Sequence, residues 1–180
     1  MKPFSSVTVV KHPLNVVWVT IRDRLPELVP YIDNIEGITQ LKREELPDGN
    51  IRLDNLWQLD SNLSSIRAAN LARDDLRWID RAEWQLHSHV CHWQIEPHFM
   101  SGQMTCRGLT RYEPAIGGRG TRITFEGQLN IAVRNEIGAS SFLDGTLLRG
   151  FESLASTLVP RNLRKLAEAV SSFLDNRPPS

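Results

Sequence analysis

The sequence predicts an α+β fold in which a curved antiparallel sheet of about six or seven strands wraps on a long C-terminal helix. Two observations carry this prediction. Apolar and polar residues alternate along consecutive segments, which is typical of strands with one covered face. The last forty residues place apolar side chains three and four apart, as an amphipathic helix does. Since the alternating face needs a cover, we expect the terminal helix to supply it.

The opening of the chain predicts one strand followed by two short helices. Ser6–His12 contains valines among polar residues, as a short strand does. Pro13 is well placed at the first turn of a helix over Leu14–Arg24. Leu25–Ile32 is bracketed by two prolines and predicts a second short helix or turn.

The middle of the chain predicts the rest of the sheet. Turn clusters at Pro47–Asn50 and Ala115–Gly120 separate alternating segments, as hairpin turns do. Residues 61–75 have no period of two, so we expect a connection, placed over the mouth of a cavity. The predicted strands are Ile38–Glu45, Ile51–Leu59, Leu76–Leu86, His89–Glu96, Gln103–Tyr112 and Thr121–Ile131.

The terminal segment Phe142–Leu174 predicts the covering helix. Ser141 and Asp144 resemble a capping box, and Pro160 interrupts the apolar stripe, which favours a bend. Residues 177–180 predict a disordered tail. Repeats and linkers are absent from the sequence, so we expect a single domain over residues 1–180.

Composition excludes several classes of function. The chain has 21 basic and 21 acidic residues, whereas a nucleic-acid binder needs a basic face. It lacks the run of about 20 apolar residues that a membrane span needs, and residues 1–10 lack the apolar run of a signal peptide. We therefore expect a cytoplasmic protein without nucleic-acid partner or integral membrane segment, with Cys91 and Cys106 as free buried thiols.

The sequence contains little that indicates a metal or cofactor site. His87, His89, His92 and His98 lie close together, but no carboxylate stands at an obvious ligand spacing. We interpret them as surface or turn histidines. The glycines near residue 118 precede a strand rather than a Gly-Lys-Ser/Thr, so they indicate a hairpin and not a phosphate loop. We assign no metal and no cofactor.

The covered face is predicted to be large and aromatic, with a few polar exceptions. The polar residues are Asn55, Asp80, Glu96, His98 and Tyr112, which either bond to the protein or face a ligand. The aromatic wall is open to two interpretations, a plain core or a cavity that holds an apolar ligand. The predicted ligand-binding residues are Asn55, Trp57, Trp78, Trp84, Trp93, Cys106, Tyr112, Phe125, Leu147 and Phe151.

The order of these elements resembles the START-like superfamily, also called the birch-pollen-allergen or polyketide-cyclase-like fold. The segment Val9–Trp18 looks like the superfamily's usual start, in which a strand ends in a proline that opens the first helix. Asp23 and Pro30 match the helix pair, and the pattern covers nearly the whole chain. The resemblance implies a helix-grip fold with a pocket for a hydrophobic ligand, although one such fold hosts carriers, receptors and enzymes.

Three hypotheses for the function follow. The first is a non-enzymatic module that binds or carries a lipid-like or polycyclic small molecule. The second is an enzyme of the polyketide cyclase or aromatase kind, with Asp80, Tyr112 or His98 as proton-transfer groups. The third is a protein-interaction domain. The sequence also leaves a homodimer open.

Overall fold

The computed structural model describes residues 2–60, 76–98, 104–131 and 164–176. Within them, seven strands form one antiparallel sheet in the order β1-β7-β6-β5-β4-β3-β2. Three predictions fall outside the described residues: the connection 61–75, the tail 177–180, and most of the predicted covering helix, including Ser141, Asp144, Leu147, Phe151 and Pro160.

The described elements follow the predicted order. The strands are β1 (Lys2–Val10), β2 (Ile35–Glu45), β3 (Ile51–Leu59), β4 (Arg77–Gln85), β5 (Val90–Pro97), β6 (Met104–Ala115) and β7 (Gly120–Ile131). The helices are α1 (Leu14–Asp23), a 3-10 helix at Leu25–Tyr31, a 3-10 turn at Ile116–Gly118, and α2 (residues 164–175).

Register divides the sheet into two faces. Along β7, Ile123, Phe125 and Leu129 are buried while Arg122 and Glu126 are exposed, so the alternation of side chains follows the alternation of burial. The face that carries the buried residues is called here the inner face, and the opposite one the outer face. The predicted curved antiparallel sheet under a C-terminal helix is confirmed.

The helices pack on the inner face. Val17, Trp18 and Ile21 of α1 are buried together with Val170 and Phe173 of α2 in one apolar core. This burial follows from the sequence of both helices, in which apolar residues stand three and four apart and so turn one side of each helix towards the sheet.

Polar contacts at the helix ends fix the helices to the rest of the fold. The Asp23 carboxylate bridges Arg22 and, at 2.8 Å, Arg43 of β2. His12 lies 2.8 Å from Asp175, which joins the start of α1 to the end of α2. The described part of the terminal helix is therefore attached to the α1 side of the sheet.

Some boundaries differ from the sequence prediction. β1 begins at Lys2 rather than Ser6, since it pairs with β7 from Lys2 to Val10. β6 continues past Tyr112 to Ala115, because Pro114 and Ala115 pair with the start of β7. Thus only the 3-10 turn Ile116–Gly118 and Arg119 separate β6 from β7. Gly117 and Gly118 both have positive φ angles, a conformation that glycine adopts readily and that this sharp turn requires.

Candidate functional site

The inner face falls into two halves along the strands. The near half lies beside α1, and its members are all buried. The far half lies towards the opposite strand ends, and four of its members keep partial exposure. The near half comprises Ile51, Trp84, Cys91, Thr110, Tyr112, Ile123 and Phe125. The far half comprises Asn55, Trp57, Trp78, Asp80, Ile95, Met104, Cys106 and Leu129, of which Trp78, Asp80, Ile95 and Met104 are half-buried.

Aromatic rings fill the near half. The Trp18 indole of α1 meets Trp84 edge to face at a centroid distance of 4.8 Å and Tyr112 at 5.1 Å. His89, in the turn after β4, closes the cluster 5.2 Å from the Trp18 ring, and its φ of 51° lies in the left-handed region. Helix, turn and sheet thus share one packed cluster in which the aromatic surface is already buried by protein.

A parallel ring stack characterises the far half. Trp57 and Trp78 are directly opposite each other on β3 and β4, and their rings lie 5.5 Å apart at 16°. Trp57 is 8% exposed, whereas Trp78 is only half-buried. The Trp78 ring is therefore aromatic surface that the protein covers incompletely.

Asp80 and Asn55 form the polar centre of the far half. They are cross-strand partners one step from the Trp57–Trp78 pair. Burial, and secondly the negative charge of Asp54, raises the pKa of Asp80 to about 7. The Trp57 N–H opposes this shift, so it lies near the Asp80 carboxyl, although the two groups do not meet hydrogen-bond geometry. At neutral pH the Asp80 carboxyl can therefore donate as well as accept a proton.

The other titratable groups of the inner face stay protonated. Burial, with the nearby Asp80 charge as a smaller cause, raises the pKa of the Cys91 thiol well above its ordinary value. Burial raises the pKa of Cys106 to about 12. Burial, followed by the charges of Cys91 and Asp80, raises the pKa of the Tyr112 phenol strongly. These groups are poor nucleophiles and poor bases at neutral pH.

Trp93 lies between the two halves. Its indole N–H donates to the Thr110 hydroxyl at 3.0 Å, and its ring stacks on Phe4 at 6.2 Å. A Cβ on Gly108 would lie 2.5 Å from the Trp93 ring, and one on Gly127 2.8 Å from it. The paired glycines therefore make room for this ring.

Two residues predicted on the covered face lie elsewhere. The prediction for Glu96 is wrong, since its carboxylate pairs at 3.1 Å with Arg81 on the outer face. Side chains alternate between the two faces along β5, so Glu96 lies on the outer face because its neighbour Ile95 lies on the inner face. His98 is exposed directly after β5, and its backbone N–H donates to the Arg77 carbonyl.

The outer face is a separate, charged surface. An open groove of about 770 Å³ crosses it, lined by ion pairs such as Arg52–Glu83 and Arg81–Asp54. In the part of the chain that the structure describes, no three His, Cys, Asp or Glu side chains are grouped as a metal site would need. No helix there is long and apolar enough to cross a membrane.

The predicted ligand-binding residues did not include two aromatic residues that pack against the inner face, Trp18 and Phe4. Trp18 belongs to the helical stripe of α1, so its burial was predictable, but its partners Trp84 and Tyr112 depend on where α1 lies across the sheet. Phe4 precedes the predicted start of β1 and therefore carried no strand signal.

Comparison with known proteins gives structural but no sequence matches. No protein-family model and no curated sequence matches the chain. The crystal structure of Zhui aromatase/cyclase from Streptomyces sp. R1128 has a TM-score of 0.68 and 14% identity, over 98% of this chain and 94% of that one.

Two further crystal structures are similar over most of their length. TTHA0849 from Thermus thermophilus has a TM-score of 0.63 and 18% identity, over 96% of this chain and 99% of that one. Norcoclaurine synthase from Thalictrum flavum has a TM-score of 0.57 and 12% identity, over 98% of this chain and 87% of that one. The chain therefore shares the helix-grip fold of these three structures, and the fold that the resemblance implied is confirmed.

Proposed function

We propose that the far half of the inner face binds a hydrophobic small molecule, lipid-like or polycyclic, beneath the C-terminal helix. One observation carries the proposal: beside the Trp57–Trp78 stack, the inner-face residues Trp78, Ile95 and Met104 are apolar side chains that the chain leaves half-buried. Burial of a ligand there gains about 25 cal/mol for each Å² of apolar surface removed from water.

The near half has no such capacity. Its aromatic rings already pack on Trp18, so a ligand would have to displace α1. We therefore place Trp57, Trp78, Asp80 and Asn55 against the ligand. The remaining predicted ligand-binding residues stay predictions.

Binding of the fluorescent probe N-phenyl-1-naphthylamine tests this proposal. The protein should enhance the probe's fluorescence with saturable binding, and Trp78→Gln should weaken binding about 10-fold by removing half of the ring stack. Leu41→Gln is the matched control, since Leu41 is a 53% exposed apolar residue on β2. Equal weakening by both variants, or no saturable binding to the wild-type protein, would contradict the proposal.

Asp80 favours catalysis of the cyclase or aromatase kind as a second candidate. A carboxyl with a pKa of about 7 can take and return a proton at neutral pH. Two of the similar structures are named as an aromatase/cyclase and a synthase. If the protein is such an enzyme, Asp80→Asn should lower turnover at least about 100-fold while probe binding persists. Unchanged turnover in Asp80→Asn would contradict a catalytic role for Asp80, and only the binding function would then remain.

A further inference from the structure

β1 is one of the two edge strands of the sheet, and β2 is the other. It pairs with β7 on one side, from Lys2 to Val10 without a break in register. Among the described residues, no strand pairs with its other side. Alternate backbone N–H and C=O groups on that side therefore lack a sheet partner, and such a row is a template for another strand.

The two edges differ in how far they are protected against pairing. β2 carries charged residues along its length, at Glu36 and over Lys42–Glu45, and its register with β3 shifts twice. Charges and bulges are the usual means by which an edge strand avoids pairing with another chain. β1 has neither, since Pro3–Val10 contains no charged residue and its register with β7 is unbroken. Of the two edges, β1 is the one open to pairing.

Two exposed valines lie on the outer-face side of β1. Val7 is 61% exposed and Val9 is 49% exposed, although both belong to a strand of the sheet. Their cross-strand neighbours on β7 are Thr124 and Arg122, which leave them uncovered. Apolar side chains beside unpaired backbone groups are typical of a strand that receives a partner strand.

A second copy of β1 complements this edge. When two β1 strands pair antiparallel around a two-fold axis at Thr8, Val7 of each copy lies opposite Val9 of the other. The four valines then cover one another on the outer face, and the two Thr8 side chains meet on the other face. Within Ser6–Val10 no charge faces a like charge, because the segment contains none.

The same register brings opposite charges together at each end of the join. Lys11, which is exposed directly after β1, comes opposite Ser5 of the second copy. The neighbour of Ser5 on β7 is the exposed Glu126, which also pairs with Arg111 at 2.8 Å. Two strand spacings amount to about 10 Å, a distance that lysine and glutamate side chains span together. Charge complementarity therefore supports the second copy as the occupant.

We propose that β1 is the docking surface for a second copy of this chain, and that two β1 strands join two seven-stranded sheets into one continuous sheet. The interface is isologous, so each copy uses the same edge. The charged and irregular β2 edge then ends the sheet on both sides, which stops the assembly at a dimer. The proposal goes beyond ligand binding and does not depend on it.

Sedimentation of a lysine variant tests the proposal. We expect the wild-type protein to change from monomer to dimer as its concentration rises. Val7→Lys should raise the dimer Kd about 100-fold, because it places two charged side chains in the join. The monomer should tolerate this lysine, since the position is exposed. Leu41→Lys is the matched control, because Leu41 is 53% exposed on the β2 edge, and it should leave the dimer Kd unchanged.

Hydrogen exchange locates the interface without a variant. The Ser6–Val10 amides that face away from β7 should exchange more slowly as the concentration of wild-type protein rises, because they gain acceptors in the dimer. The amides of β2 are the internal control and should exchange at the same rate at every concentration.

Three outcomes would overturn the proposal. The first is a wild-type protein that stays monomeric with fast exchange along β1, which would leave the edge to a strand of another protein. The second is slow exchange along β1 at every concentration, which would mean that a segment of the same chain covers the edge. The third is a dimer whose Kd is the same in Val7→Lys and in the wild-type protein.

Discussion

The two halves of the inner face contain the same kinds of aromatic side chain but differ in how those rings pack and how far they are buried. In the near half, Trp84 and Tyr112 pack edge to face against Trp18, and all three rings are buried. In the far half, Trp57 and Trp78 stack on each other, and the Trp78 ring is only half-buried. Aromatic content therefore does not separate packed core from incompletely covered surface, whereas ring geometry and the exposure of each ring do.

The largest expected effect comes from truncating one tryptophan in each half. Trp84→Ala should lower the free energy of unfolding by about 4 kcal/mol, because it leaves a cavity among fully buried rings. Trp78→Ala should cost only about 1–2 kcal/mol, since its side chain is half-buried. Urea denaturation measures both. Similar losses in the two variants would remove the distinction between the halves.

A methyl group on Gly108 tests the boundary between the halves. Its Cβ would lie 2.2 Å from the Glu126 carbonyl oxygen and 2.8 Å from the Gly127 Cα, and backbone atoms cannot move aside cheaply. We expect Gly108→Ala to destabilise the fold by about 3 kcal/mol. In the control variant Gly37→Ala, the added Cβ meets nothing within 4 Å. Thermal unfolding that is unchanged in Gly108→Ala would contradict this packing.

The pH dependence of stability tests the polar centre of the far half. The folded-state pKa of Asp80, about 7, lies above its ordinary value of 3.8, so the folded state holds this proton more tightly than the unfolded chain. Stability from this group is complete below about pH 4, falls as pH rises, and levels off above about pH 7.

Because Asp80 is only half-buried, we expect this fall to be about 2 kcal/mol. Asp80→Asn should abolish it, whereas Glu113→Gln, a change at an exposed outer-face carboxyl, should keep the wild-type slope. Denaturation series at about pH 4.5, 6 and 8 measure the difference. A wild-type profile that matches Asp80→Asn would show that Asp80 titrates as an ordinary carboxyl.

The smallest effect is expected on the outer face at the same level of the sheet. Arg81 follows Asp80 in the chain and pairs with Asp54 at 2.8 Å and with Glu96 at 3.1 Å. Exposed ion pairs contribute little, so Arg81→Gln should change stability by less than about 1 kcal/mol and leave probe affinity unaltered. A larger loss would mean that the outer network supports the far half through β4.

The sequence predicted the faces of the sheet better than the division between its halves. Alternation placed Ile51–Leu59 with its observed bounds and assigned Asn55, Asp80 and Tyr112 to the inner face. It could not show that Tyr112 belongs to a packed cluster and Asp80 to a partly open one. That difference depends on where α1 crosses the sheet, which is a tertiary property.

Strand ends were harder to predict for a physical reason. β2 begins at Ile35 rather than Ile38, and its pairing with β3 contains irregularities that break the period of two. Phe4 was missed because β1 begins with residues of weak strand preference, which pairing with β7 alone makes extended. The extended conformation at these positions depends on pairing with distant strands, and the local sequence pattern carries no signal of that pairing.

The turn at His89 makes a hairpin connection part of the interior. A left-handed backbone conformation is least strained with glycine, yet this position holds an imidazole that contacts the Trp18 ring. Replacement by glycine would relax the peptide chain and at the same time release the hairpin from α1. At this residue, the backbone preference of the turn and the packing of the side chain on α1 thus favour different amino acids. A variant chosen for its turn preference alone would weaken the packing between helix and sheet.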